Sequence, residues 1–128
     1  PGESRETVLR TIDYLNRLPI QGVKLQLLHV LSDSDLADLY RAGEYTPLEK
    51  EEYLTLVGDC IAHLRADIVL HRLTGDGDKN TLLAPLWSLR KRDVLNRLHR
   101  YLKENHIRQG MSCKIDLSVI YNKPKDVL

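Results

Sequence analysis

The stretch Asp67–Gly77, DIVLHRLTGDG, decides the fold because an apolar run passes directly into a glycine loop. The run covers Ile68–Leu70, and the loop covers Thr74–Gly77. A buried strand that ends in such a loop is typical of α/β proteins, which bind ligands at the carboxyl ends of their strands. His71 and Arg72 are costly to bury unless they find partners or face a cavity. The stretch therefore predicts that Ile68–Thr74 is the working strand of an α/β unit.

The segments on either side of this stretch alternate between helical and strand periodicity. Apolar side chains recur at helical spacing in three long segments, which begin near Ser4, Thr46 and Ser88. The segment Gly22–Leu31 instead alternates apolar and polar side chains, as a strand does, and a short helix is predicted over Leu36–Ala42. The order of helix, strand, helix, strand and helix favours parallel strands joined by helical crossovers.

Composition limits the chain to one domain and gives no strong indication of a partner. The chain has 128 residues and a net charge of +1. No apolar run approaches the roughly 20 residues of a membrane span, and no signal peptide is recognisable, so we expect a cytoplasmic protein. Two cysteines cannot form a disulfide framework, and Cys60 lies on an apolar stripe, which predicts a packed thiol. The opening Pro1–Ser4 lacks an initiator Met and indicates a piece of a longer protein.

Polar side chains on the two predicted strands are the first candidate site residues. Lys24 and Gln26 share one strand face, which lines a barrel interior or a cleft, or else is simply solvated. His29 and His71 lie near the downstream ends of adjacent strands, where they form either a metal pair or structural contacts. Because no third ligand has a suitable spacing, the structural interpretation is favoured and no metal site is predicted.

The acid in the glycine loop is the second candidate. Asp76 begins a sequence, DGDKN, that resembles a calcium loop, but Thr81 replaces the required Gly and Trp87 replaces the required Glu. A carboxylate between two glycines instead fits a contact with a ribose hydroxyl or an amino group.

The last predicted helix carries many cations on its non-apolar surface. They are Arg90, Lys91, Arg92, Arg97, Arg100 and Lys103. They could contact nucleic-acid phosphates, but the helix offers few aromatic side chains for base stacking, so a solvated face is favoured. In the tail that follows, alternating apolar residues over 115–121 are compatible with an edge strand that ends before Pro124.

Three segments occur together in an order that identifies a family resemblance. They are GVKLQLLHVL at Gly22–Leu31, HRLTGD at His71–Asp76 and LAPLWS at Leu83–Ser88. Together they resemble the C-terminal part of an uncharacterised radical SAM protein, in a branch similar to the oxygen-independent coproporphyrinogen oxidases and the elongator-type proteins. The resemblance covers roughly residues 1–110, which leaves 111–128 as a tail of unassigned role.

The resemblance implies an α/β fold that is a fragment of a (β/α) partial TIM barrel. It implies two parallel strands and three long helices, with the tail as a candidate edge strand. In such proteins a 4Fe–4S cluster held by cysteines cleaves S-adenosylmethionine, and the resulting radical abstracts a hydrogen atom from the substrate. The cluster cysteines belong to the N-terminal half of the barrel, and this chain lacks them. The resemblance therefore implies an Fe–S oxidoreductase as the parent protein, but no cluster and no activity in this segment.

The resemblance also assigns roles to the candidate residues. The loop Leu73, Thr74, Gly75, Asp76 and Gly77 is expected to contact the adenosine end of the cofactor. Lys24, Gln26, His29 and His71 are expected to face cofactor or substrate in the cleft. No catalytic residue is assigned within this segment.

Three functional hypotheses follow. The first is a C-terminal fragment that supplies S-adenosylmethionine and substrate contacts to the missing N-terminal half of the barrel. The second is a nucleic-acid-binding module that uses the basic last helix, and the third is a self-standing interaction domain. Because truncation would expose an edge of the strand Gly22–Leu31, we also expect self-association as a dimer, with the tail either adding to that edge or exchanging between copies.

Overall fold

The computed structural model describes residues 1–121 and contains nine regular elements and one short 3-10 helix in this range. In chain order these are α1 (Arg5–Asn16), β1 (Gly22–Lys24), β2 (Val30–Leu31), α2 (Asp35–Arg41), α3 (Lys50–His63), β3 (Val69–Arg72), β4 (Leu82–Ala84), the 3-10 helix (Leu86–Leu89), α4 (Lys91–Glu104) and α5 (Leu117–Tyr121).

The parallel pair predicted from the sequence is confirmed. β1 pairs with β3 in parallel, with Gly22 opposite Val69, and the ladder shifts by one residue so that Lys24 lies opposite Arg72. One further bond extends the pairing, because the amide of Leu25 donates to the carbonyl of Arg72 at 2.8 Å. The chain therefore has the α/β fold with parallel strands that the alternation of elements predicts.

Three long helices pack against one face of this pair, as predicted. α3 lies between α1 and α4. Ser4 begins α1 as its N-cap, and its hydroxyl accepts from the amide of Thr7. One core cluster joins Ile12 of α1 with Cys60 of α3 and with Leu64, which follows α3. Val23 of β1 and the adjoining Leu25 pack against this cluster. A second cluster joins α3, α4 and the segment after β1: Leu27, Tyr53, Leu54, Val57, Ile61, Val94 and Leu98.

The prediction of one continuous strand over Gly22–Leu31 is wrong. β1 ends at Lys24, and β2 belongs to a second sheet, where it pairs antiparallel with β4. The connecting residues leave the first sheet because Leu27 is buried in the core between the helices. α2 covers the second sheet, where Val30, Ala37 and Ala84 form a small core of their own. The strand predicted over Ile68–Thr74 is likewise shorter, Val69–Arg72.

Two helices begin later in the chain than the predicted starts near Thr46 and Ser88. α3 begins at Lys50 rather than at Thr46, because the Leu48 carbonyl accepts the indole N–H of Trp87 at 3.1 Å and the Leu48 side chain packs on the core. α4 begins at Lys91 rather than at Ser88. The Ser88 hydroxyl instead donates to the carbonyl of Pro85 at 2.7 Å within the 3-10 helix.

The tail forms a short helix over residues 117–121, so the edge strand compatible with its sequence is absent there. The helical turn buries Ile120, and the amide of Ser118 donates to the Asp116 carboxylate at 2.9 Å. Backbone bonds from Gly110 to the Ile61 carbonyl and from Ser112 to the Ala62 carbonyl hold the segment on α3. The end of the predicted strand at Pro124 lies outside the described residues.

The buried side chain of Arg65 joins the end of α1, the start of β3 and the tail. It is 2% exposed, and its Nε donates to Asp67 at 2.6 Å. Its two terminal nitrogens donate to the Tyr121 hydroxyl and to three backbone carbonyls, those of Asn16, Leu18 and Ile20. Partial burial acts to raise the pKa of Asp67, but hydrogen bonds from Arg65 and Tyr121 outweigh this and lower it.

Among residues 1–121, none of the helices is long and apolar enough to cross a membrane.

Candidate functional site

The glycine loop predicted from the sequence follows β3 at its carboxyl end. The hydroxyl of Tyr53 on α3 donates to the Leu73 carbonyl at 2.7 Å and fixes the point where the loop leaves the strand. Tyr53 is buried and packs against Trp87, with 5.6 Å between ring centroids. Because burial raises the pKa of Tyr53, its hydroxyl stays protonated and remains a donor throughout the neutral range.

The imidazole of His29 lies against two glycines of the loop. A Cβ atom at Gly75 would lie 2.5 Å from the ring carbon Cε1 of His29, and one at Gly77 would lie 3.5 Å from Cγ. At Gly75 the loop can approach the ring this closely only because the residue lacks a side chain, whereas a Cβ at Gly77 would be in ordinary contact with the ring. The Nε2 atom of His29 is buried and has no hydrogen-bond partner within residues 1–121. Burial, and secondarily the charge of Lys91, lowers the pKa of His29, so the ring is neutral at pH 7.

The loop carboxylate already contacts two cations. Asp76 pairs with Lys91 at the start of α4 and with Arg72 at 3.4 Å. Its side chain is 52% exposed, so these pairs are screened by solvent. An ionised carboxylate can accept about four hydrogen bonds, which leaves the outer side of Asp76 able to accept from a ligand.

The backbone of the loop provides unused donors. Within the described part of the chain, the N–H groups of residues 74–77 donate to neither a backbone nor a side-chain acceptor. Gly75 is buried and Thr74 is half-buried, so solvent reaches only part of this backbone. Free N–H groups at the end of a parallel strand are the feature with which α/β proteins hold polar ligand groups.

The face of the parallel pair opposite the helices is exposed. Lys24 and Gln26 lie on this face of the β1 segment, and Val69 and His71 lie on the same face of β3. Val69 is 55% exposed, which is unusual for a strand valine. The His71 ring lies over Gly22, in the space that a larger side chain would fill. The alternation seen in the sequence thus correctly separates the packed face from the polar face.

A groove of about 850 Å³ adjoins the carboxyl end of β1. Its walls come from the N-terminal residues 1–5, the segment Lys24–Leu28, the segment Glu44–Thr46 and α3. Lys24 and Gln26 line this groove, whereas His29 contacts the glycine loop and His71 covers Gly22. The predicted cleft residues are therefore divided among three places on the structure.

The histidines do not form a metal site in the described structure. Within residues 1–121, no three His, Cys, Asp or Glu side chains come close enough to hold a metal ion. The structural interpretation fits the packing of both rings, although Nε2 of His29 lacks the partner that a satisfied core histidine would have.

Sequence reasoning missed Tyr53 and Lys91, which fix the loop from α3 and α4. Tyr53 falls on an apolar stripe and has the pattern of a core residue, and Lys91 belongs to a run of basic residues. Neither position carries a local signal for its contact, since the partners are distant in sequence.

The basic helix α4 has fewer free charges than its sequence indicates. Arg97 donates both Nε and Nη2 to Glu51 at 3.1 Å, and its Nη1 lies 3.8 Å from Glu104. Lys91 forms an ion pair with Asp76. Exposed ion pairs of this kind reduce the positive field that a nucleic-acid surface requires, so the geometry does not strengthen the nucleic-acid hypothesis.

Comparison with known proteins agrees with the resemblance found in the sequence. The family described as Radical SAM C-terminal domain matches residues 20–104, which contain β1 through the end of α4. The cleft candidates, His29 and the whole glycine loop fall inside this range.

Three longer proteins are similar to the chain. The uncharacterized protein YtqA of Bacillus subtilis is 31% identical over 110 residues, which are 86% of this chain and 34% of that protein. Protein YhcC of Escherichia coli K12 is 32% identical over 107 residues, 84% of this chain and 35% of its own length. The uncharacterized protein MJ0486 of Methanocaldococcus jannaschii is 32% identical over 111 residues, which are 86% of this chain and 34% of that protein. The chain thus spans about a third of the length of these relatives.

Proposed function

Because the chain belongs to the Radical SAM C-terminal domain family, we propose that it supplies S-adenosylmethionine and substrate contacts within a larger radical SAM protein. The observation that carries the proposal is the glycine loop, which presents free N–H groups and an acid at the carboxyl end of a parallel strand. In this proposal residues 1–110 are the C-terminal portion of the barrel. The exposed face of β1 and β3 then lines the barrel interior.

The residues present fit one end of the cofactor. The N–H groups of residues 74–77 are free to donate to the adenosine, and the carboxylate of Asp76 can accept from ribose hydroxyls. Lys24 and Gln26 line the neighbouring groove, where they would hold polar groups of the cofactor or the substrate. When bound, S-adenosylmethionine supplies the radical chemistry of the family. The role of this chain is to bind and orient it.

The residues present do not fit the iron–sulfur cluster. A cluster needs several thiolates, and this chain has two cysteines. Cys60 is buried under the helices, where burial raises the pKa of its thiol to about 11. The cluster ligands must therefore come from another polypeptide segment, which we propose is the N-terminal half of the barrel. Iron–sulfur reconstitution of this chain should accordingly leave it without stoichiometric iron.

The binding proposal can be tested on the chain itself by NMR. Titration with S-adenosylhomocysteine, which lacks the reactive sulfonium, should move the amide resonances of residues 73–77. In Asp76→Asn the affinity should fall by about 1–3 kcal/mol, the scale of a hydrogen bond to a charged group. The matched control is Asp78→Asn, since Asp78 is an exposed acid in the same connection whose carboxylate accepts only from the Asn80 amide among the bonds of the described structure.

Two results would contradict the proposal. One is a titration at millimolar ligand in which the loop amides do not move. The other is equal affinity of Asp76→Asn and wild type, which would remove the acid from the binding site. Movement of amides on the outer face of α4 instead of the loop would place the ligand elsewhere.

A further inference from the structure

His29 joins the two connections that lead from the parallel sheet to the antiparallel sheet. It lies on the segment between β1 and β2, and the glycines that it contacts lie on the segment between β3 and β4. The carbonyl of Leu27 lies 3.3 Å from the Cβ position of Gly75, so the two connections touch along more than one residue. The ring thus lies where both connecting segments leave the parallel pair.

The contact is too close to be incidental. A Cβ atom at Gly75 would lie 2.5 Å from the ring, which is well inside van der Waals contact. Gly77 is also near the ring, and it lies next to Leu82 of β4. Closely packed groups of this kind shift together rather than independently, so the position of the ring determines the position of the loop.

The surroundings of the ring disfavour a positive charge. Its Nε2 is buried without a partner in the described structure, and the charge that acts on the ring, the ammonium of Lys91 on α4, is also positive. The acid of the loop, Asp76, is already paired with Lys91 and with Arg72 of β3. Leu82, which packs from β4, carries no charge. A protonated ring would therefore be a partly desolvated cation beside the Lys91 ammonium, and its Nε2 proton would have no acceptor in the described structure.

We infer that the neutral imidazole of His29 is a positioning residue that holds the Leu73–Gly77 loop in its binding shape, and that protonation of the ring releases the loop. The inference rests on the proposed function only where it says that the loop binds a ligand, because the coupling between ring and loop does not require one. The loop would then take up its ligand near neutral pH and lose it in acid.

The sign of the pH effect follows from burial. The pKa of His29 is lowered from its ordinary value of 6.5, so below pH 6.5 the open loop binds more protons than the closed loop. The closed loop therefore becomes less stable as the pH falls from 6.5 to the lowered pKa of His29, and below that pKa the effect no longer grows. For one proton, affinity for S-adenosylhomocysteine should fall by at most about tenfold per pH unit in that window.

The test is an NMR titration of the 128-residue chain from about pH 8 to about pH 5. The ring of His29 should titrate below its ordinary pKa, and the amides of Gly75 and Gly77 should shift with the same midpoint. His29→Phe keeps the shape of the ring without its titration, so its loop amides should stay near their wild-type positions in neutral solution and no longer respond to pH. His29→Ala should displace the loop at every pH.

His99→Phe is the matched control, because His99 is exposed on α4 and far in sequence from the loop. It should leave the loop titration unchanged. The inference is overturned if the loop amides do not titrate with His29, or if His29→Phe retains their pH response. If the loop titrates with the ring while S-adenosylhomocysteine fails to bind at any pH, the coupling is supported and the proposed function fails. Should His29→Ala not fold, the wild-type titration and His29→Phe still decide the question.

Discussion

Replacement of Arg65 by methionine should lower the free energy of unfolding by about 3–5 kcal/mol, because it leaves backbone carbonyls without their donor, at about 1–3 kcal/mol for each one that stays buried. The guanidinium makes five hydrogen bonds, to the Asp67 carboxylate, the Tyr121 hydroxyl and three carbonyls at the end of α1. Methionine fills much of the same volume but donates nothing. The loss is smaller than the sum of five bonds, because water can reach Asp67, whose side chain is 33% exposed, and other groups near the surface.

The assay is urea unfolding followed by circular dichroism. With a slope of about 2 kcal/mol per molar for a small protein, the midpoint should fall by about 1.5–2.5 M. Arg100→Met, on the exposed face of α4, is the control and should stay within about 0.5 kcal/mol of wild type. An Arg65→Met variant within about 1 kcal/mol of wild type would refute the view that this side chain joins α1, β3 and the tail.

A pH series sharpens the same prediction. Hydrogen bonds from Arg65 and Tyr121 keep the pKa of Asp67 below its ordinary value of 3.8 despite the opposing effect of burial. The stabilisation is therefore fully present above that value and is lost as the pH falls through the lowered pKa. The difference in stability between wild type and Arg65→Met should shrink in acid. A difference that stays constant down to the acid transition would contradict this account.

Three further predictions follow from packing and exposure. Gly75→Ala should lower the free energy of unfolding by about 1–3 kcal/mol, as overpacking does, because the new Cβ would meet the ring of His29. Gly22→Ala should lower it less, since the ring of His71 beside Gly22 is exposed and can rotate, and equal losses in urea unfolding would contradict the close fit of the loop. Cys113, which is half-buried, should react with a thiol reagent near pH 8 at least about tenfold faster than Cys60, whose pKa is raised to about 11 by burial; similar rates would mean that the core opens readily. Sedimentation equilibrium at micromolar concentration should show a dimer, because β1 pairs only with β3 in the described structure, and a 14.7 kDa monomer would contradict self-association.

The features that local pattern determines were predictable from the sequence. The three long helices follow from apolar side chains at helical spacing, which no other regular structure can bury on one face. The Ser4 cap is equally local, since its hydroxyl meets an amide three residues along the chain. The glycine loop after β3 was also found, because an apolar run that ends in two glycines is recognisable in the sequence, as is the alternation that separates Lys24 and Gln26 from the packed face.

The tertiary structure decided where each element stops and what holds the loop. The alternation over Gly22–Leu31 fits a single strand, but burial of Leu27 and pairing of β2 with a strand about 50 residues away divide it in two. The indole N–H of Trp87 likewise donates to the Leu48 carbonyl, and α3 therefore begins only at Lys50. The roles of His29, Tyr53 and Arg65 depend on partners that lie far along the chain. The residues next to such a side chain in the sequence do not indicate its partner. The contact forms only when the fold brings the two distant segments together.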